Sequence, residues 1–90
     1  MSEIIFDTPM ALGKSKTRWS HLVADNIDEL HEFAQKIGLK REWFQISASG
    51  IPHYDISSSR IRALAISLGA KQVDRKTLHT KATTWQIKKA

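Results

Sequence analysis

Hydrophobic residues recur along the chain with two periods, of about two and about 3.6 residues, which are typical of strands and helices respectively. Residues 3–6 and 19–23 favour strands because apolar and β-branched side chains dominate them. Between these strands, residues 9–18 contain proline, glycine and three basic side chains. We therefore expect a loop between the first two strands.

The clearest helix signal follows the second strand. Asn26 is a suitable N-terminal cap, Glu29 lies three positions later as in a capping box, and Gly38 is a suitable stop. Apolar side chains at helical spacing form the expected buried face, namely Ile27, Leu30, Phe33, Ala34 and Ile37. The pattern predicts a helix between Asn26 and Gly38.

The next part of the chain repeats this alternation. Residues 43–46 favour a strand, with Trp43 and Phe44 in the interior, and residues 47–55 favour a loop. A second helix is expected to begin near Ser57 and to end at Gly69. Its buried stripe is predicted to consist of Ile61, Leu64, Ala65 and Leu68.

The order of elements predicts a small single α/β domain, β-β-α-β-α-β, with a mainly parallel sheet flanked by helices. The fourth strand is expected at residues 71–73. Residues 74–82 favour another turn or two of helix, and residues 83–87 favour an edge strand or an unpaired segment. We expect residues 1–74 to form the α/β domain and residues 75–90 to extend it as a basic C-terminal segment.

The composition is that of a soluble globular protein, since 41% of the residues are hydrophobic and 26% are charged. The absence of cysteine excludes disulfides, thiolate ligands and a cysteine nucleophile, and favours a reducing compartment. No apolar run reaches the roughly 20 residues that cross a bilayer, and the first residues lack the pattern of a signal peptide. We therefore expect a cytoplasmic protein without a membrane partner.

The positive charge is concentrated at the C-terminal end. Residues 1–70 carry eight basic and eight acidic side chains, whereas residues 71–90 carry six basic and one acidic. Such a segment attracts nucleic acid or simply increases solubility. Trp85 is a candidate for stacking on a base, although it equally suits packing on the sheet. The candidate nucleic-acid contacts are Lys76, Lys81, Trp85, Lys88 and Lys89.

Polar side chains crowd the start of the second helix. In a parallel sheet they would lie at the carboxyl edge, where ligands usually bind. The free N–H groups of the helix, serine hydroxyls and the Arg60 guanidinium suit a phosphate group. The alternative is that the serines are only helix caps. The predicted ligand-binding residues are Trp19, Ser20, His21, Asp25, His53, Tyr54, Ser57, Ser58 and Arg60.

Catalysis and metal binding leave weaker signals. His21, His53 and Asp55 are the candidates for acid–base chemistry, although a histidine in a strand also suits a hydrogen-bonded core position. Imidazole and carboxylate groups suit zinc or manganese, but the histidines lack a metal-binding spacing and lie in separate segments, so we expect no metal. Walker, G-x-G-x-x-G and G-x-S-x-G sequences are absent, and we expect no cofactor.

Several short sequences also resemble one family. They are WSHL (19–22), D (25), ELHEFA (29–34), IGL (37–39), WFQ (43–45), PHYD (52–55), SSR (58–60) and LGA (68–70). Over about residues 18–74 the chain is similar to DUF4031, a family of small phage and bacterial proteins without an established activity. The resemblance implies a compact intracellular α/β domain. The family's polar positions map to Trp19, Ser20, His21, Asp25, His31, Gln45, His53, Tyr54, Asp55 and Arg60.

Three functions follow from these observations. The first is a phage-type protein that binds a nucleotide or nucleic acid at the His/Tyr/Ser/Arg cluster. The second is an enzyme that processes a nucleotide or phosphodiester with His21 and His53. The third is a phage-encoded protein that binds and modulates a host protein. The sequence leaves the ligand and the oligomeric state open.

Overall fold

The structure is a computed structural model that describes residues 3–11 and 17–89, with the backbone alone for residues 87–89. Residues 12–16, which belong to the segment expected to be a loop, lie outside this description. A 3₁₀ turn, Arg41–Trp43, follows the first helix. The strands are β1 Ile4–Asp7, β2 Met10–Ala11, β3 Arg18–Ala24, β4 Gln45–Ile46, β5 Pro52–Ile56 and β6 Lys71–Val73. The helices are α1 Ile27–Lys36, α2 Ser59–Ser67 and α3 Arg75–Lys89.

The described strands form one mixed sheet in the order β4-β5-β3-β1-β6, and β2 pairs with β3 beside this path. Only β1 and β6 pair in parallel, whereas β3 pairs antiparallel with β1, β2 and β5. The predicted small α/β domain is confirmed, but the mainly parallel sheet is wrong. The reason is that β4 and β5 are joined by a tight turn, in which Gly50 N donates to the carbonyl of Ser47. This turn reverses the chain and pairs the two strands antiparallel.

Sequence reasoning missed β2 and β5, since both lie in segments that were expected to be loops. In β5, the first residue is proline and the fourth is aspartate, which are both typical turn residues. They make the alternating pattern of a strand difficult to recognise in the sequence. Tyr54 and Ile56 are buried in one core cluster, and His53 and Asp55 point to the other side of the sheet. The candidate site depends on this alternation.

Two core clusters lie on opposite faces of the sheet. One cluster packs Phe6, Leu22 and Tyr54 against α1 and α2. The other packs Ile5 and Val23 against Leu78 and Ala82 of α3. Ile5 directly precedes Phe6 and Val23 directly follows Leu22, so the members of each pair point to opposite faces of the sheet. The helix expected at residues 74–82 is therefore only the first part of α3, which is 15 residues long. Both alternatives predicted for residues 83–87, an edge strand and an unpaired segment, are wrong, because these residues belong to α3.

Two predicted burial patterns also require correction. On α2, Ala65 is buried and Ile61 is half-buried, but Leu64 and Leu68 are 42% and 49% exposed. α1 and α2 leave a groove of about 410 Å³ between them, and Leu68 lines it rather than packing in the core. Trp43 does not lie in an interior strand either, since it ends the 3₁₀ turn and is 47% exposed.

Candidate functional site

His21 lies in the middle of β3 and contacts the end of β1. Its Nδ1 is 3.0 Å from Oδ2 of Asp7, and its backbone N–H donates to Oδ1 of the same carboxylate at 2.6 Å. Asp7 is the last residue of β1 and is only 2% exposed. A buried carboxylate thus binds both the backbone and the ring of His21, which holds the imidazole in one orientation.

β5 brings His53 and Asp55 to the same place. The register pairs His21 directly with Asp55 across the antiparallel strands. His53 lies two positions before Asp55 and therefore points to the same face. The rings of His21 and His53 are 5.3 Å apart, and Nε2 of His53 lies 3.4 Å from Oδ1 of Asp55. The three side chains named as catalytic candidates from the sequence form one cluster.

The electrostatic environment of His21 is dominated by Asp7. The hydrogen bond to Asp7 raises the pKa of His21 above its ordinary value of 6.5, while burial lowers it. The charges of Asp7 and Asp55 add to the increase in the pKa of His21, and the charge of Arg75 opposes it. His21 is consequently held beside two carboxylates and one guanidinium.

Asp7, His21, His53 and Arg75 border a cleft of about 300 Å³, which we call the imidazole cleft. One side is the sheet, and the other is the beginning of α3. Its lining consists of Asp7, His21, Val23, Ser47, Ser49, Ile51, His53, Arg75, Leu78 and His79. Sequence reasoning missed Arg75 and His79, because both lie in the basic segment that was considered separately. Sequence reasoning also missed Asp7 as the partner of His21.

The cluster also contains atoms that bind metals. One ligand atom each from His21, His53 and Asp55 lies within 4.8 Å of the other two. Two imidazole nitrogens and a carboxylate oxygen are donors that zinc accepts. The expectation of no metal relied on spacing along the chain, whereas strand pairing brings separate segments together.

Asp55 lines a second cleft. It has a volume of about 350 Å³, and we call it the tryptophan cleft. Trp19 and Ser57, both predicted to bind ligand, line it together with Trp43 and Gln45. Its complete lining is Trp19, Leu39, Trp43, Gln45, Asp55, Ser57 and Ile61.

The structure separates five of the predicted ligand-binding residues from both clefts, namely Ser20, Asp25, Tyr54, Ser58 and Arg60. Tyr54 is buried on the opposite face, where its hydroxyl lies 2.7 Å from Nδ1 of His31. Ser20 is fully buried and alternates with His21, so it also points away. Asp25, beyond the far end of β3, accepts a hydrogen bond from the backbone N–H of Glu3 at 3.1 Å.

A serine caps the start of α2, which was the alternative to anion binding at this position. Oγ of Ser58 accepts a hydrogen bond from the N–H of Ile61 at 3.3 Å, which makes Ser58 the N-cap. Arg60 is exposed and lines neither cleft. The predicted convergence of Ser58 and Arg60 with the histidines is therefore absent from both clefts.

The predicted nucleic-acid contacts lie along α3. Lys76 is exposed, whereas Nζ of Lys81 forms an ion pair with Glu3 at 2.6 Å. Trp85 is half-buried and packs against the core cluster under α3. The side chains of Lys88 and Lys89 lie outside the described part of the structure. Trp85 thus packs against the protein, which was the alternative to stacking on a base.

Comparison with known proteins identifies the family. The model of the family described as Protein of unknown function (DUF4031) matches residues 4–84. The chain belongs to the DUF4031 family. The match begins in β1 and includes most of α3, whereas the resemblance seen in the sequence ended near residue 74. No curated protein and no solved structure matches this DUF4031 chain. Among its described helices, none has the length and apolar character needed to cross a membrane.

Proposed function

We propose that this DUF4031 domain binds a phosphate-bearing ligand, a nucleotide or the end of a nucleic acid, in the imidazole cleft. One observation carries the proposal: Arg75 and His79 of α3 face His21 and His53 of the sheet across the same cleft. Guanidinium and imidazole N–H groups donate to phosphate oxygens, and arginine does so through two parallel hydrogen bonds.

The remainder of the cleft supports the same ligand. Ser47 and Ser49 contribute hydroxyl groups to its lining. α3 begins at Arg75, so the positive end of its dipole lies beside the cleft. Six of the fourteen basic residues of the chain occur in residues 71–90, which include this helix. The helix dipole and the basic side chains favour an anionic ligand, to which the serine hydroxyls can donate hydrogen bonds.

The tryptophan cleft suits the base of the same ligand. Trp19 and Trp43 offer aromatic surfaces for stacking, and Gln45 and Ser57 offer hydrogen-bonding groups. Asp55 lines this cleft and also approaches His53, which lines the imidazole cleft. A nucleotide placed with its base beside Trp43 and its phosphate beside Arg75 would contact both clefts.

Calorimetric titration with a nucleoside monophosphate, the matching nucleoside and inorganic phosphate tests this proposal. We expect the nucleotide to bind more tightly than either part, and Arg75→Ala to weaken nucleotide binding about tenfold, which corresponds to the loss of a charged hydrogen bond. Arg60→Ala is the matched control, because Arg60 lies outside both clefts. An Arg60→Ala variant that weakens binding while Arg75→Ala does not would contradict the proposal, as would indifference to all three ligands.

An enzyme that processes nucleotides or phosphodiesters is the second candidate. The specific observation is that Asp7 orients the ring of His21 within 5.3 Å of the His53 ring, so that two imidazoles face one ligand position. Carboxylate-oriented imidazoles recur in hydrolytic sites. Turnover of a nucleotide and oligonucleotide panel that disappears in His53→Ala but not in His31→Gln would support this candidate. Binding without turnover would leave the protein a binding module.

A further inference from the structure

Hydrogen bonding determines which ring nitrogen of each histidine carries a hydrogen. Nδ1 of His53 lies 3.0 Å from the carbonyl oxygen of Ile51, which only accepts, so Nδ1 donates. Nδ1 of His21 lies 3.0 Å from Oδ2 of Asp7, and an ionised carboxylate also only accepts. In the neutral rings, both Nε2 atoms therefore carry lone pairs.

Both Nε2 atoms lie near the same carboxylate oxygen. Oδ1 of Asp55 lies 3.4 Å from Nε2 of His53 and 3.9 Å from Nε2 of His21. Within the described residues, this buried oxygen has no hydrogen-bond partner. With both rings neutral, three electron-rich atoms converge without a hydrogen atom between them. Such an arrangement is unfavourable unless a positive charge lies among the three atoms.

One of the spacings already matches that of a coordinated metal, and all three ligand atoms lie within 4.8 Å of one another. Zinc binds imidazole nitrogen and carboxylate oxygen at about 2.0–2.2 Å, so two ligand atoms of a tetrahedral ion lie about 3.3 Å apart. The pair formed by His53 and Asp55 already has this separation, at 3.4 Å. The pair formed by His21 and Asp55 is longer, at 3.9 Å, and requires a shift of the half-buried His21 ring.

We infer that His21, His53 and Asp55 hold a divalent transition-metal ion of the zinc class. Two imidazoles and one carboxylate suit zinc, cobalt or nickel, whereas calcium and magnesium prefer oxygen ligands alone. The inference stands on side-chain geometry and does not require the phosphate ligand. The ion would, however, supply positive charge where Asp7 and Asp55 otherwise repel a phosphate.

The surrounding structure supports each ligand. Metal-binding histidines usually donate their second ring nitrogen to a carboxylate or a backbone carbonyl. Asp7 serves His21 in this way, and the carbonyl of Ile51 serves His53. The ligands also lie on paired strands, so the backbone positions them before any ion arrives. Three protein ligands leave one position of a tetrahedral ion free, which is the arrangement of catalytic rather than structural sites.

Titration of the metal-free protein with Zn²⁺, and with Co²⁺ as a spectroscopic probe, tests the site. We expect one ion per chain and the visible absorption of tetrahedral cobalt. Asp7→Asn should lower the zinc affinity about 10–100-fold, because His21 loses its orienting carboxylate. His79→Ala is the matched control, since His79 lines the same cleft without belonging to the cluster. Its zinc affinity should equal that of the wild type.

Asp55→Asn separates metal binding from folding. His53 is buried, so its removal also risks the fold. An asparagine amide at position 55 donates a hydrogen bond to an imidazole Nε2, and the metal-free variant should unfold at the wild-type temperature or above it. The increase in unfolding temperature that zinc causes in the wild type should disappear. A zinc-dependent increase that persists in Asp55→Asn would overturn the inference, as would a loss of zinc binding in His79→Ala.

The result also separates this site from the proposed function. Uptake of one zinc ion without any response to nucleotides would support the metal site and contradict the phosphate-binding proposal. Nucleotide binding by a chain that takes up no zinc or cobalt would contradict the metal site alone.

Discussion

His21 and His31 each contact one hydrogen-bonding side chain, and their pKa values move in opposite directions. Asp7 raises the pKa of His21 through a charged hydrogen bond. Burial, followed by the charge of Arg41, lowers the pKa of His31, and the hydroxyl of Tyr54 beside it carries no charge that would offset them. The same residue type thus occupies a charged cleft on one face and a largely apolar cluster on the other.

The lowered pKa of His31 predicts a pH dependence of stability. The unfolded chain binds a proton at the ordinary value of 6.5, whereas the folded protein takes it up only at lower pH. The free energy of unfolding should therefore fall as the pH decreases through 6.5 and level off below the folded pKa. In His31→Gln this part of the decrease should be absent.

Urea unfolding at several pH values between about 7 and 5, where histidines titrate, measures the difference. The comparison with the wild type cancels the contribution of His21, which both proteins share. Glutamine retains an acceptor for the Tyr54 hydroxyl. Parallel pH curves for the two proteins would show that His31 does not contribute to this dependence.

α1 and β5 show which elements local sequence signals predict and which they do not. The boundaries of α1 follow from Asn26, whose Oδ1 accepts a hydrogen bond from Glu29 N at 3.0 Å, and from Gly38, which has a φ of 89°. Both are properties of the residues themselves. β5 contains Pro52 and Asp55, and it is a strand because its neighbours β3 and β4 pair with it.

The cap of α1 yields a prediction at the scale of the element. Asn26→Ala removes the acceptor for the N–H of Glu29 and should lower the free energy of unfolding by about 1 kcal/mol. Gln35→Ala, at an exposed position of the same helix, should change it by less than about 0.5 kcal/mol. Chemical denaturation followed by circular dichroism gives both values. Equal losses in the two variants would rule out a specific effect of the cap.

At the scale of the whole molecule, α3 completes the second core cluster. Leu78 and Ala82 cover Ile5 and Val23, and the ion pair between Lys81 and Glu3 joins the helix to the beginning of β1. α3 also provides Arg75 and His79 to the imidazole cleft. The segment that was expected to be a basic extension therefore contributes to both the core and the candidate site.

A chain shortened to residues 1–74 tests this role. Without α3, the apolar face formed by Ile5, Val23 and Ile51 would be exposed, and leucine truncations in cores alone cost about 2–5 kcal/mol. We expect the shortened chain to lose its cooperative thermal transition or to aggregate. Thermal unfolding and size-exclusion chromatography measure this outcome. A folded monomer with the wild-type unfolding temperature would instead support an independent domain that ends at residue 74.

The pattern of the sequence predicted α1, α2 and the strands β1, β3 and β6, because caps, glycine stops and apolar spacing act over a few residues. It also identified His21, His53 and Asp55 as candidates. It did not predict the direction of the strands, the face of Tyr54, or the approach of Asp7, Arg75 and His79. These depend on strand register and on which face α3 covers. Both result from contacts between distant segments, which only the folded chain brings together.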